Sequence, residues 1–195
     1  MKKKITITII CAVLSCVCLI GTTFAWLVDK TEPVKNTFTV GNVDITLTET
    51  GATLNGSVYE NSFKMVPGND IAKDPKVTVV AGSEACYVFV KIEKSANFDT
   101  FMEYALADGW VQLKDNSNVD VTGVFYRTVD ATTAESGHEY KVLNGDKVTV
   151  KTTVTKGDMD GLDNVSEYPT LTFTAYAVQS DNVANAFTAW GHANP

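Results

Sequence analysis

The sequence predicts a mainly β protein: an antiparallel β-sandwich of jelly-roll type with short inserted and C-terminal helices. Three observations carry this. Thr and Val occur 25 times each and Ile 8 times in 195 residues, and β-branched side chains suit pleated strands better than helices. Short runs alternate, as where Val148, Val150, Thr152 and Val154 face one way and Lys147, Thr149, Lys151 and Thr153 the other, the mark of a half-buried strand. About eight such runs follow one another, and no internal repeat of fixed period interrupts them. A length of 195 residues suits one domain plus a processed segment. With 45% hydrophobic and 20% charged residues the chain is neither disordered nor collagen-like.

The N-terminus reads as an export signal. Lys2, Lys3 and Lys4 precede an uncharged, largely apolar run from Ile5 to Ile20, an n-region followed by an h-region. That run is broken by Thr6, Thr8 and Ser15 and falls short of the ~20 apolar residues of a membrane span. Thr23 and Ala25 put small residues where a signal peptidase reads, so residues 1–25 are expected to be a cleaved signal peptide, cut between Ala25 and Trp26. Contact with a membrane is expected only through the uncleaved leader. Cys16 follows Val13-Leu14-Ser15, a poor lipobox because Leu stands one position too late.

Cleavage removes Cys11, Cys16 and Cys18 and all but 13 of the basic residues, against 23 acidic ones, which leaves a charge of −10. Cys86 then has no intramolecular partner, so no internal disulfide is expected in this exported chain. It reads as a small core residue on one side of a strand with Val88, Val90 and Ile92. The acidic balance, with no cluster of Lys or Arg beyond the leader, excludes nucleic acid as the main partner.

Residues 26–36 form an N-terminal arm, in which Trp26, Leu27 and Val28 mix with Asp29, Lys30, Glu32 and Pro33 without a core-forming period. The sandwich domain is expected over 37–195. Its first strand, 37–49, changes phase at Gly41, which suggests a bulge. Ala52 to Glu60 reads as loop or weak strand, and Val66-Pro67-Gly68-Asn69 as a turn with positive φ at Gly68. Strands follow at Lys76–Val80 and Ala85–Glu93, joined through Gly82-Ser83. Phe98, Phe101, Met102, Ala105 and Leu106 have helical spacing, with Asn97 placed to cap and Gly109 to end the helix. Further strands are expected at Trp110–Leu113, Val121–Val129 and Tyr140–Leu143, the last entering a two-residue hairpin at Asn144-Gly145. After the Val148–Val154 and Leu171–Ala177 alternations, a last helix is expected from Asp181 to Trp190.

No catalytic constellation assembles. The two histidines are His138 and His192, and neither has a second histidine four residues on to offer zinc a second ligand from one helix face. There is no G-x-S-x-G elbow, P-loop or G-x-G-x-x-G, and Cys86 has no adjacent base in sequence. Asp158, Asp160 and Asp163, with Asn164 and Glu167, crowd a loop that also contains Gly157 and Gly161. Oxygen ligands at such spacing would suit calcium, although the spacing is not that of an EF-hand, and a solvated acidic turn is the alternative. No other cofactor is expected.

Gly21-Thr22-Thr23-Phe24-Ala25-Trp26-Leu27-Val28-Asp29-Lys30 and Asn36-Thr37-Phe38-Thr39-Val40-Gly41-Asn42-Val43-Asp44-Ile45 resemble the leader and first strand of the TasA and camelysin (CalY) family of Gram-positive bacteria. Phe63-Lys64-Met65-Val66-Pro67-Gly68, Lys73-Asp74-Pro75 and Val77-Thr78-Val79 are similar to that family's Pro-Gly turn and following strand. Leu171 to Gln179 is similar to a late core strand. The resemblance implies a secreted jelly-roll subunit of extracellular matrix, biofilm or cell-surface fibres, released by a SipW-type signal peptidase. Its partner is itself, because the arm of one subunit completes the sheet of the next by donor-strand addition. Trp26, Leu27 and Val28, with Phe38 and Val40 of the adjoining strand, are the expected assembly residues. Camelysin-like relatives are also classed as metallopeptidases, an activity that the missing zinc motif argues against here. A secreted metallopeptidase and a monomeric adhesion module are the alternative functions.

Overall fold

The computed structural model describes residues 41–133 and 135–193, all within Val40–Pro195, the second of two units into which the chain divides. The signal peptide, the Ala25–Trp26 cleavage site, the arm at 26–36, and Phe38 and Val40 lie outside the described residues. Among the described residues no helix is long and apolar enough to cross a membrane.

In chain order the elements are β1 (Ile45–Thr48), β2 (Thr53–Asn55), β3 (Val58–Glu60), β4 (Asp70–Ala72), β5 (Lys76–Val79), β6 (Cys86–Lys94), α1 (Phe98–Phe101), β7 (Met102–Glu103), β8 (Val111–Lys114), β9 (Asp120–Val129), β10 (His138–Lys141), β11 (Lys147–Val150), α2 (Lys156–Asp160), β12 (Leu171–Gln179) and α3 (Ala186–Ala193). The strands form sheets ordered β12-β6-β9-β8, β1-β5-β10 and β4-β11-β7, with β2-β3 as a separate hairpin. Every strand pairing is antiparallel. The mainly β, antiparallel reading therefore holds.

The two three-stranded sheets form one ribbon bent at a corner. β4 pairs with β11 and β5 with β10, and the bend between them is bridged by the Val142 amide on the Pro75 carbonyl (2.9 Å) and the Lys73 amide on the Asp146 carbonyl (2.8 Å). Pro75 has no amide to offer, so the ladder breaks there. The same corner corrects the hairpin expected at Asn144-Gly145. β10 and β11 do not pair with each other, and Asn144–Asp146 is a 3-10 turn carrying the chain from one sheet to the next, with φ 68° at Gly145.

β6 is the central strand, buried on both faces. Cys86, Val88, Val90 and Ile92 point into the main core with Ile71, Val77, Val79, Val148 and Val150. Phe89 points the other way, to a smaller core with Leu113, Val124 and, from α3, Ala186, Ala189 and Trp190. The Trp190 ring lies 5.4 Å from Phe89 and 5.1 Å, edge-on, from Tyr176, so α3 covers the outer face of the four-stranded sheet. The expected core role of Cys86 holds: it is fully buried, and burial pushes its thiol from the ordinary 9.0 up to about 11.

Gly123 ends the β6–β9 pairing with φ 69°, and a Cβ there would meet the Ile92 carbonyl oxygen at 2.4 Å. Gly123→Ala is expected to cost about 2 kcal/mol or more, from left-handed strain plus the forced shift of backbone; chemical denaturation compared with the parent protein measures it.

Two helix expectations need correction. The helix expected through Leu106 stops at Phe101, because Met102 and Glu103 pair with Val150 and Thr149 of β11 and the 105–107 backbone bonds to Val142 and Asn144. A helix this short gains little by itself, and the sheet edge supplies better partners for the same amides. The Asn97 side chain makes no cap, since its Oδ1 accepts from the Ser95 hydroxyl at 2.7 Å while its Nδ2 donates to the Glu167 carbonyl at 2.6 Å. The last helix begins at Ala186, not Asp181, where Asn185 Oδ1 accepts the Thr188 amide at 2.8 Å; it runs past Gly191 to Ala193. The Pro-Gly turn holds, with the Asn69 amide donating to the Val66 carbonyl at 3.0 Å and Gly68 at φ 77°.

Candidate assembly edge

Sheet edges expose unpaired amides and carbonyls, and proteins guard them with brevity, charge, proline or bulges. Most edges of this fold are guarded. β4 and β7 have three and two residues. β10 is four residues long and carries Glu139 and Lys141. β8 has four residues, a bulge between Gln112 and Lys114, and a Lys114–Asp120 ion pair at 2.6 Å. β1 has four residues.

β12 differs. It is a nine-residue edge, Leu-Thr-Phe-Thr-Ala-Tyr-Ala-Val-Gln, with no charge, no proline and an unbroken register against β6 from Leu171↔Lys94 to Gln179↔Cys86. Hydrogen bonds flanking the ladder fix which groups face out. Ser95 donates to the Thr170 carbonyl and Ser180 to the Ala85 carbonyl, so the even-numbered residues of β12 bond to β6 and the odd-numbered ones turn their amides and carbonyls away from it. Those outward groups belong to Leu171, Phe173, Ala175, Ala177 and Gln179, and among the described residues no backbone group pairs with them. The side chains of Leu171, Phe173, Ala175 and Ala177 pack against the main core, as their alternation predicted. On the other face Tyr176 and Val178 pack against the smaller core. All but Thr172 and Gln179 are half-buried.

One end of this edge is held by a shielded ion pair. Lys73 Nζ donates to both Glu49 carboxylate oxygens at 3.0 and 2.8 Å, with the side chains 14% and 15% exposed. The same ammonium lies 5.4 Å from the Phe173 ring centre and 5.6 Å from that of Phe63, within cation–π range. The residue after each member repeats the link, with Asp74 accepting from the Thr50 amide (2.9 Å) and hydroxyl (2.7 Å).

The expected assembly residues Trp26, Leu27, Val28, Phe38 and Val40 lie outside the described residues; the edge was missed in the sequence reading. Its available signal was a nine-residue strand free of charge and proline, recognised there only as core.

The acidic loop is built differently from a cation cage. Thr155 caps α2 and Asp158 closes the capping box: its Oδ2 accepts the Thr155 amide at 2.8 Å and hydroxyl at 2.7 Å, bonds that lower its pKa below the ordinary 3.8. Asp160 binds Lys156 at 2.6 Å, and the Asp163 amide donates to Glu167 Oε2 at 2.8 Å. Among the described residues no three His, Cys, Asp or Glu side chains gather as a metal site, so Asp158, Asp160 and Asp163 are not brought together. His138 stacks loosely on Tyr140, with ring centres 6.3 Å apart, and His192 lies in the last turn of α3.

No curated protein and no solved structure matches the chain. Residues 1–84 match the family model described as camelysin metallo-endopeptidase. The match spans the leader, the first strand and the Pro-Gly turn, and ends two residues before β6. Over those residues, a little under half of the chain, the sequence is similar to the camelysin family.

Proposed function

We propose that this chain is a secreted, non-enzymatic, jelly-roll subunit of extracellular matrix, biofilm or surface fibres. It polymerises head to tail, residues 26–36 of one copy adding a strand to the β12 edge of the next. The observation that carries this reading is the edge itself. Its length, its lack of charge and its outward backbone groups, which have no partner among the described residues, are what strand addition requires, and a second strand would cover its half-buried apolar residues. Export through a cleaved leader, cut by a SipW-type peptidase, and residence in the matrix or at the cell surface belong to the same reading.

The matched family is described as a metallo-endopeptidase. Catalytic zinc takes three protein ligands and keeps a fourth position for water. The residues described do not fit that metal: the chain's two histidines stand on separate elements, β10 and α3, Cys86 is buried, and among the described residues no three His, Cys, Asp or Glu side chains gather.

Electron microscopy of protein spanning 26–195, set beside protein starting at Asn36, tests the proposal. Filaments are expected from the first and monomers from the second. If both stay monomeric at high concentration, or both polymerise equally, the donor-arm reading is wrong. Casein cleavage abolished by a chelator and restored by zinc would favour the peptidase instead, and a stable monomer binding a matrix ligand would favour the adhesion module.

A further inference from the structure

The β2–β3 hairpin stands apart from the three sheets. Among the described residues it pairs only with itself, Leu54 opposite Tyr59 and Asn55 opposite Val58, and all six of its strand residues are exposed. A lone two-stranded hairpin is marginal in water. This one is held by its own ladder and by Asn55 Nδ2 on Glu60 Oε2 at 2.9 Å.

It nevertheless presents large apolar groups. Leu54 and Tyr59, 59% and 68% exposed, share one face, and Val58 occupies the other. Phe63 and Val66 follow in the chain, so five of the nine large apolar side chains exposed among the described residues fall between 54 and 66. From Thr50 to Phe63 the only charged side chain is Glu60, in a chain whose net charge is −7. Copies of an acidic protein repel one another across most of their surfaces, and a charge-poor apolar patch is where they meet at least cost. The segment that follows the hairpin reaches the β12 edge, because Phe63 and Phe173 of β12 flank the same Lys73 ammonium.

We propose that the Leu54–Tyr59 face of this hairpin is a second contact between neighbouring copies of the chain, packing on the body of the copy whose strand occupies β12. The inference rests on the fibre reading above and adds a side-chain interface to its backbone pairing.

The test uses protein beginning at Trp26 and its double variant Leu54→Ser/Tyr59→Ser. Pelleting gives the critical concentration for filaments, and amide hydrogen exchange over 53–60 is followed in monomer and filament. The variant is expected to fold normally, since both side chains are exposed, and to need about tenfold more protein to polymerise. The hairpin amides of the parent are expected to exchange more slowly in filaments than in monomers. An unchanged critical concentration, or hairpin exchange equally fast in both states, overturns the second contact while leaving the fibre reading intact. A parent protein that never polymerises overturns both. Equal exchange that slows only when another protein or a polysaccharide is added would assign the hairpin to that partner instead.

Discussion

Ala175→Pro is expected to leave the subunit folded and, if the fibre reading is right, to stop polymerisation. Ala175 is an odd-numbered residue of β12, so its amide points to the open side and makes no bond to β6. Proline there removes a donor that has no acceptor among the described residues and that an added strand would use, and proline on the outer side of an edge strand is tolerated. Thr174→Pro, one residue earlier, is the control: its amide points to Lys91 on β6, so the change is expected to destabilise the subunit by about 3 kcal/mol. Thermal unfolding and electron microscopy separate the two outcomes. Filaments formed by Ala175→Pro at the parent's concentration would move the acceptor away from β12.

The largest effect on stability is expected from Trp190→Ala. Trp190 is 6% exposed and packs its ring on both Phe89 and Tyr176; emptying such a site costs about 3–5 kcal/mol. In a chain of this size that lowers the midpoint of thermal unfolding by ~10 °C. Because α3 makes the cover over the outer face of the four-stranded sheet, the variant is also expected to bind a hydrophobic dye more strongly. A loss under about 1 kcal/mol would mean that α3 is not a fixed part of the fold.

Much of the sandwich was legible because its strands carry period-two alternation of β-branched residues. Cys86 to Ile92 and Leu171 to Ala177 face as their pattern predicted. The errors came where local signals compete with pairing partners distant in sequence. Phe98 to Leu106 has helical spacing, but the edge of β11 captures its second half. Asn144-Gly145 has the chemistry of a hairpin turn and makes a corner, because β10 and β11 find separate partners. The assembly edge was hidden for a different reason. Sequence pattern tells which residues are apolar, whereas being at an edge depends on strand order, which periodicity does not encode. The Lys73–Glu49 pair likewise joins residues 24 apart without any motif to announce it.

The unbroken pairing of β12 with β6 also bears on how such a fibre would resist pulling. Tension entering along a strand added to β12 would be passed to β6 as sliding of one strand past the other, so that all nine residue pairs share the load at once and do not open one by one from an end. β6, clamped by side-chain packing on both faces, is then the member that would spread the force into the subunit.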